Sequence, residues 1–259
     1  MDKKLPLSVS IITFNEEENL PNALKSIKDI AEEIIIVDSG STDKTVSIAK
    51  DYGAKVFIEK WKGYVAQKNS ALEKCTKDWI LSLDADEIVS QELKDNIIRV
   101  INSPDADGYY INRITYYSGK FLKHSWQPDW KLRLVKRKAN PKWKGIDPHD
   151  FLTIDGKTSK LSGYLLHYSY KDIYDHFFRA LKYSKISAEN YYKLGKKFRI
   201  YNLFFNPTWA FVKQYILKLG FLDGLRGLSV AKSYSFSIFL KYMFLWELEQ
   251  KGKDKNGKS

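Results

Sequence analysis

The sequence predicts an α/β protein: a mostly parallel central sheet flanked by helices, followed by a helical, aromatic-rich C-terminal region. Two observations carry this. Short apolar or β-branched runs recur at residues 7–14, 33–37, 54–58 and 79–83, separated by segments with helical periodicity. Such alternation implies right-handed crossovers between parallel strands. Beyond Asp172 the strand-like pattern stops, and aromatic pairs such as Phe177-Phe178, Tyr191-Tyr192 and Phe204-Phe205 punctuate a helical pattern.

Each element has its own signal. Residues 7–14 read as the first strand. Asn15 reads as an N-cap, with Glu18 three positions on completing a capping-box pattern. Leu20, Ala23, Leu24 and Ile27 then recur at helical spacing. Residues 33–37 form the second strand, Gly40 permits a sharp turn, and Ser41 can cap a helix over residues 42–52. A third strand at 54–58, a helix over 65–75 and a fourth strand at 79–83 complete the first hundred residues. Residues 107–170 read as strands and loops rich in Trp, Tyr, Lys and Arg. The tail from residue 251 is polar and Lys-rich, a composition that predicts disorder.

With 259 residues and 44% hydrophobic content the chain can bury the core of one or two domains. Its single cysteine, Cys75, excludes an intramolecular disulfide and suits a reducing compartment; on its helix it reads as a core residue. Residues 3–14 resemble a signal peptide only in outline, because Asn15-Glu16-Glu17-Glu18 follows with no small-residue cleavage site. No uncharged apolar run reaches the length of a spanning helix. Residues 1–100 hold 14 Lys+Arg against 18 Asp+Glu, so the net charge of +12 arises entirely from the remainder. That asymmetry fits an anionic partner, whether a membrane surface, a nucleic acid or a phosphorylated substrate, and equally a solvated basic surface.

The most informative stretch is Trp79-Ile80-Leu81-Ser82-Leu83-Asp84-Ala85-Asp86-Glu87, an apolar run ending in three carboxylates. Ligands bind at the C-terminal edge of open α/β sheets. Carboxylates crowded there repel one another, and a divalent cation relieves this, with substrate phosphates completing its shell. Val37-Asp38-Ser39-Gly40-Ser41-Thr42-Asp43 ends the second strand, where Asp38 can accept hydrogen bonds from a base or ribose; an ordinary strand–turn–helix cap explains it equally well. The dinucleotide fingerprint and the P-loop are both absent.

Thr13-Phe14-Asn15-Glu16, the segment from Asp38 to Asp43, and Asp84-Ala85-Asp86 follow three strands whose ends would share one sheet edge. Together they resemble family 2 of the inverting GT-A glycosyltransferases, with Gln67-Lys68-Asn69 in the place of its base-proximal basic segment. Trp126-Gln127-Pro128-Asp129-Trp130-Lys131-Leu132-Arg133-Leu134, Leu166-His167-Tyr168-Ser169-Tyr170 and Gly220-Phe221-Leu222-Asp223-Gly224 resemble its lipopolysaccharide-core β-glucosyltransferase branch.

The resemblance implies a catalytic domain over residues 1–170, donor-binding to 100 and acceptor-binding beyond, with a membrane- or subunit-associating helical region over 171–250. It implies a UDP-sugar donor, Mg²⁺ or Mn²⁺, and a sugar such as glucose passed to a cell-envelope glycolipid. Asp86 would hold the metal directly, with Asp84 on metal or ribose. Thr13, Phe14, Asn15, Glu16, Asp38, Ser39, Lys68 and Ala85 would line the nucleotide site. Lys68 stands where relatives commonly carry Arg, which puts its contact in doubt.

Inversion needs a general base for the acceptor hydroxyl. Asp150, in Pro148-His149-Asp150, lies where this branch carries a His-Glu pair, and Asp129 is the rival; either can instead be a loop carboxylate paired with a nearby cation. Arg133 can clamp a diphosphate or sit on a solvated strand face. His167 is a second metal contact or a structural histidine. In the C-terminal third, Trp209, Phe211, Val212, Tyr215, Ile216 and Leu219, with Lys213 and Lys218, form an amphipathic pattern, and residues 236–246 form another. These suit an interfacial helix on anionic lipid, at the inner face of the cytoplasmic membrane, or packing against the catalytic domain or a second subunit. Other donors, polysaccharide or protein acceptors, and a non-catalytic membrane- or nucleic-acid-binding protein are the competing readings. No recognised nucleic-acid module is present, so no nucleic-acid partner is expected.

Overall fold

The computed structural model describes residues 4–146 and 149–256. Pro148, quoted beside Asp150 above, and the last three residues of the polar tail lie outside the described residues. In chain order the elements are β1 (Leu5–Thr13), α1 (Leu20–Ile27), β2 (Ala31–Asp38), α2 (Thr45–Asp51), β3 (Lys55–Ile58), α3 (Tyr64–Glu73), β4 (Trp79–Ser82), β5 (Glu87–Val89), α4 (Gln91–Asn102), β6 (Gly108–Tyr117), β7 (Lys120–Phe121), β8 (Trp130–Lys136), β9 (Lys142–Ile146), β10 (His149–Thr153), β11 (Thr158–His167), α5 (Ile173–Lys193), α6 (Phe205–Val212) and α7 (Leu225–Asn256).

The main sheet runs β3-β2-β1-β4-β8-β6-β11-β5, with β7 paired to β6 and a separate β9–β10 hairpin. Pairing is parallel across β3, β2, β1 and β4 and antiparallel between β4 and β8, β8 and β6, and β11 and β5. The mostly parallel expectation therefore holds for the N-terminal strands alone. Parallel neighbours need a long crossover, and from β6 to β11 no α-helix separates one strand from the next.

Strand alternation sends Ile34 and Ile36 to a core shared with Leu20, Ala23, Leu24 and Ile27 of α1 and Leu93 and Ile97 of α4. Ile35 and Ile80 point the other way, to Leu72, Cys75, Trp143 and Leu152. Helices thus cover one face, and α3 with the β9–β10 hairpin the other. β1 is paired on both edges and buried on both faces, with Leu7, Val9 and Ile11 interleaved by the small buried Ser8 and Ser10. Glu33 is the exception that ties the edge together. Burial opposes its charge, yet Ser8 Oγ, the Thr76 amide and Lys55 hold its carboxyl down to about 2.

Two turn expectations are corrected. Asn15 is not an N-cap; it adopts a left-handed backbone (φ 53°), which Asn tolerates, and its Oδ1 accepts from the Thr42 amide at 2.9 Å. Helix α1 begins only after Asn19. Ser41 does not cap α2 either; Asp43 Oδ1 accepts from the Thr45 amide there at 2.9 Å.

The chain forms two compact units: residues 1–114 with 128–168, and residues 115–127 with 169–259. The segment 115–127, expected within the first domain, belongs to the second unit. There Tyr117, Trp126, Tyr170 and His176 form an aromatic cluster. Asp223 accepts from the backbone amides of Lys123, His124 and Ser125. Gly227 lies so close to Gly220 that a Cβ on it would fall 1.8 Å from the Gly220 carbonyl oxygen. The Gly220-to-Gly224 motif is therefore a backbone-packing device. Helices α5 and α7 pack through Ala188, Tyr242 and Leu245. The tail expected to be disordered instead continues α7 to Asn256, with Lys251 paired to Glu247 one turn back.

Candidate active site

The first two loops are fastened to each other at the C-terminal edge of the parallel strands. Thr13 Oγ1 donates to Asp38 Oδ2 at 2.7 Å, and Ser41 Oγ to the same oxygen at 2.6 Å. Asp38 Oδ1 accepts from the amides of Gly40 and Ser41 at 2.9 and 2.8 Å. Gly40 makes this possible by taking a φ of +90°. Asp38 is fully buried and organises the turn, so a nucleotide would meet the loop it shapes. Ser39 donates its amide to the Thr13 carbonyl and accepts from Gln67 Nε2 at 3.4 Å. The Glu16 amide donates to Thr45 Oγ1 at 2.7 Å, and Phe14 stands 56% exposed beside this loop.

Helix α3 connects that loop pair to the acidic segment through adjacent residues. Gln67 reaches Ser39, while Lys68 Nζ lies 3.1 Å from Asp84 Oδ1 and 2.8 Å from Asp150 Oδ2. The same ammonium sits 4.3 Å from the Trp143 ring centroid. Arg133 donates through Nη2 to Asp84 Oδ2 at 2.6 Å and to Glu87 Oε1 at 3.0 Å. Its residue is 2% exposed, which excludes the solvated-face reading. Lys136, by contrast, pairs with Asp107, and Arg137 donates to the Lys77 carbonyl.

Burial opposes ionisation of Asp84, but Arg133, Lys68 and Arg113 together hold its carboxyl well below the usual range. The repulsion among these acids is therefore relieved in large part by the chain's own cations. Both Asp84 oxygens are committed to them, which leaves Asp84 poorly placed as a metal ligand.

Asp86 differs. Its Oδ2 lies 3.3 Å from His167 Nε2, and no Lys or Arg stands within ion-pair distance of it among the described residues. Burial opposes its charge, and the hydrogen bond and charge of His167 lower its pKa. His167 Nδ1 is buried with no hydrogen-bond partner among the described residues. No cluster of three or more His, Cys, Asp or Glu side chains suited to a metal occurs among those residues. One carboxylate and one imidazole fit a Mg²⁺ or Mn²⁺ whose shell is completed by substrate phosphates and water.

Both candidate bases are ion-paired. Asp150, on β10 opposite Gly145, is held by Lys68. Asp129 is held by Arg113 Nε at 2.8 Å and Lys131 Nζ at 3.0 Å. Burial opposes the charge on Asp129, and those two cations lower its pKa. Ala85 is buried beneath the acidic turn.

Two participants, Arg113 and Trp143, escaped sequence reasoning, and Glu87 was seen there only as one of three crowded carboxylates. Arg113 reaches Glu87 and Asp129 from the inner stretch of β6. Glu87, fully buried, receives both arginines and also accepts from the Asp84 amide at 3.0 Å, closing the acidic turn. Trp143 lies under both Lys68 and Arg133. A charged residue inside an alternating apolar strand was the available signal for Arg113; Trp143 carried none.

A fastened loop pair, an acidic turn and buried cations meet at one sheet edge, and residues 8–160 match the model of glycosyl transferase family 2. The chain belongs to glycosyl transferase family 2 and is a glycosyltransferase. It is 36% identical over 260 residues to an uncharacterized glycosyltransferase of Rickettsia typhi, covering 96% of this chain and 89% of the relative. It is 31% identical over 248 residues to the lipopolysaccharide core biosynthesis glycosyltransferase LpsC of Rhizobium meliloti, covering 93% and 92% respectively. Among solved structures, S. aureus TarS 1–349 in complex with UDP-GlcNAc shares the fold, with a TM-score of 0.51 and 15% identity over 96% of this chain and 92% of that one. The GT-A fold expected from the motifs agrees with that likeness.

Proposed function

We propose that the chain is an inverting, divalent-cation-dependent glycosyltransferase that moves a sugar such as glucose from a UDP-sugar to a glycolipid of the lipopolysaccharide-core kind. The observation that carries this reading is Lys68, whose one ammonium joins the acidic turn at Asp84 to Asp150. A diphosphate site and a base for the acceptor are thereby adjacent. The likeness to LpsC supports the acceptor class, and the family resemblance favours UDP.

In this reading Thr13, Phe14, Asn15, Glu16, Asp38 and Ser39 form the nucleotide-side wall. Arg133 keeps Nε and Nη1 buried without partners among the described residues, and those donors are available to the diphosphate beside Lys68. An arriving diphosphate competes with Asp84 and Asp150 for Lys68, which frees Asp150. Asp150 then accepts the proton of the acceptor hydroxyl as its oxygen bonds to the anomeric carbon. The bond from that carbon to the phosphate oxygen breaks on the opposite side, and the configuration inverts. A Mg²⁺ or Mn²⁺ held by Asp86 and His167 would supply Lewis-acid neutralisation of the departing diphosphate. With a lipid-linked acceptor the enzyme works peripherally at the inner face of the cytoplasmic membrane.

The test is nucleotide release from UDP-, ADP- and GDP-sugars with Mn²⁺, Mg²⁺ or EDTA, beside Asp86→Ala. Metal-dependent release from UDP-glucose, lost in the variant, supports the reading. Release from another nucleotide-sugar moves the donor assignment. No release together with no metal-dependent nucleotide binding removes it.

A further inference from the structure

Helix α6 is amphipathic in the reverse sense. Pro207 and Ala210, with Gln214 just beyond, are buried, while Phe205 and Trp209, on the opposite side, are 72% and 59% exposed. The chain on either side continues the pattern, with Phe204 66%, Leu217 60%, Leu222 56% and Leu225 83% exposed. Large apolar side chains so open to water, and so concentrated in one segment, mark an interaction surface.

Charge identifies the occupant. Residues 194–228 contain six basic residues and one acidic residue, Asp223. Asp223 is turned inward, its oxygens accepting the amides of residues 123–125. Lys197, Arg199 and Lys213 are exposed among the aromatic residues. In a two-fold pairing of identical surfaces these cations would face one another, a destabilising arrangement. A bilayer with anionic headgroups satisfies both features at once, taking the apolar side chains into its interface and the cations at its surface. No helix among the described residues is long and apolar enough to cross a membrane, so the contact would lie along the interface.

We propose that the segment from Arg199 to Arg226 is a monotopic membrane-docking surface for anionic phospholipid, with Phe205, Trp209, Leu222 and Leu225 as its inserting side chains. The proposal narrows the sequence expectation. The pattern over residues 236–246 belongs partly to the packing of α7, where Tyr242 and Leu245 are buried. It rests on the peripheral-membrane part of the function proposed above and not on its chemistry.

The experiment is flotation of the full chain with phosphatidylcholine vesicles and with vesicles a quarter of which is phosphatidylglycerol, at low and high salt. Donor hydrolysis and sedimentation are read on the same samples. Wild type is expected to float with the anionic vesicles alone, and less at high salt. Trp209→Ser, Leu222→Ser and Leu225→Ser should each weaken partitioning by about tenfold, and Lys213→Glu with Lys218→Glu should abolish it, all with unchanged hydrolysis. Failure of wild type to float, or serine variants that float like wild type, overturns the surface while hydrolysis continues to report on the enzyme. A dimer in solution that the serine variants dissociate assigns the surface to a second copy and equally overturns the proposal.

Discussion

Lys68 Nζ lies 2.8 Å from Asp150 Oδ2, joining a helix that follows the third strand to a hairpin 82 positions later. The pair occupies the same ammonium that contacts Asp84 at 3.1 Å, so in the function proposed above the state of Asp150 would be tied to occupancy beside Asp84. Asp150→Asn is expected to lower turnover by about 10²–10⁴ with nucleotide affinity unchanged, as read by steady-state kinetics beside calorimetric UDP binding. Near-normal turnover would pass the role to Asp129.

Asp86 is the acid of the cluster with no arginine or lysine within ion-pair distance among the described residues, Arg113 acting on it only from further away, and His167 stands beside it. Asp86→Ala should abolish the Mn²⁺-dependent component of UDP binding in titration calorimetry, and EDTA should do the same to wild type. Asp84→Asn should keep some metal dependence, because its oxygens are bound by Lys68 and Arg133. Equal loss in both variants would make Asp84 a direct ligand.

Arg133 compensates the buried Glu87 and the partly buried Asp84. Removing one partner of a buried pair costs about 3–5 kcal/mol, an upper bound here because Arg113 still faces Glu87 and Lys68 still faces Asp84. Arg133→Met should therefore lower the urea midpoint by a corresponding amount, whereas Arg133→Lys, which keeps charge without the fork, should lose less. A midpoint within error of wild type for the methionine variant contradicts this account.

His176 is buried with Nδ1 2.9 Å from the Tyr117 hydroxyl, which in turn lies 2.9 Å from Ser229 Oγ. Burial pushes its pKa down from 6.5 to about 4, with Asp175 opposing. The unfolded chain then binds the additional proton between those values, so stability from this group is complete above pH 6.5 and is lost as pH falls toward 4. His176→Gln should flatten that part of the stability–pH curve. An unchanged slope would mean the imidazole is not held neutral.

Cys75 donates to the Ala71 carbonyl inside the core, and burial pushes its thiol up to about 12, with Glu33 adding to the shift. Thiolate is the reactive form, so iodoacetamide should leave the native chain unlabelled at pH 8 and label it once in urea. Rapid labelling of folded protein would show that the α3 face opens.

Local patterns in the sequence were enough for the parallel half of the fold. β1, β2 and β4 are buried on both faces, and their composition records that burial regardless of partners, whereas the edge strand β3 is mostly exposed and is marked by its β-branched and aromatic residues. The placement of Asp38, Asp84 and Asp86 at one edge followed, because parallel strands bring their C-terminal ends together. The use of those side chains was not legible. Asn15 reads as a cap in sequence but bridges to Thr42, 27 residues away. Arg133 reads in sequence either as a diphosphate clamp or as a solvated strand residue; its burial depends on Asp84 and Glu87 meeting it from 49 and 46 positions earlier. The antiparallel half, the transfer of residues 115–127 to the second unit and the outward face of α6 depend likewise on which surfaces meet. Periodicity records that a residue is apolar or charged; only tertiary contact fixes what neutralises the charge or covers the apolar face.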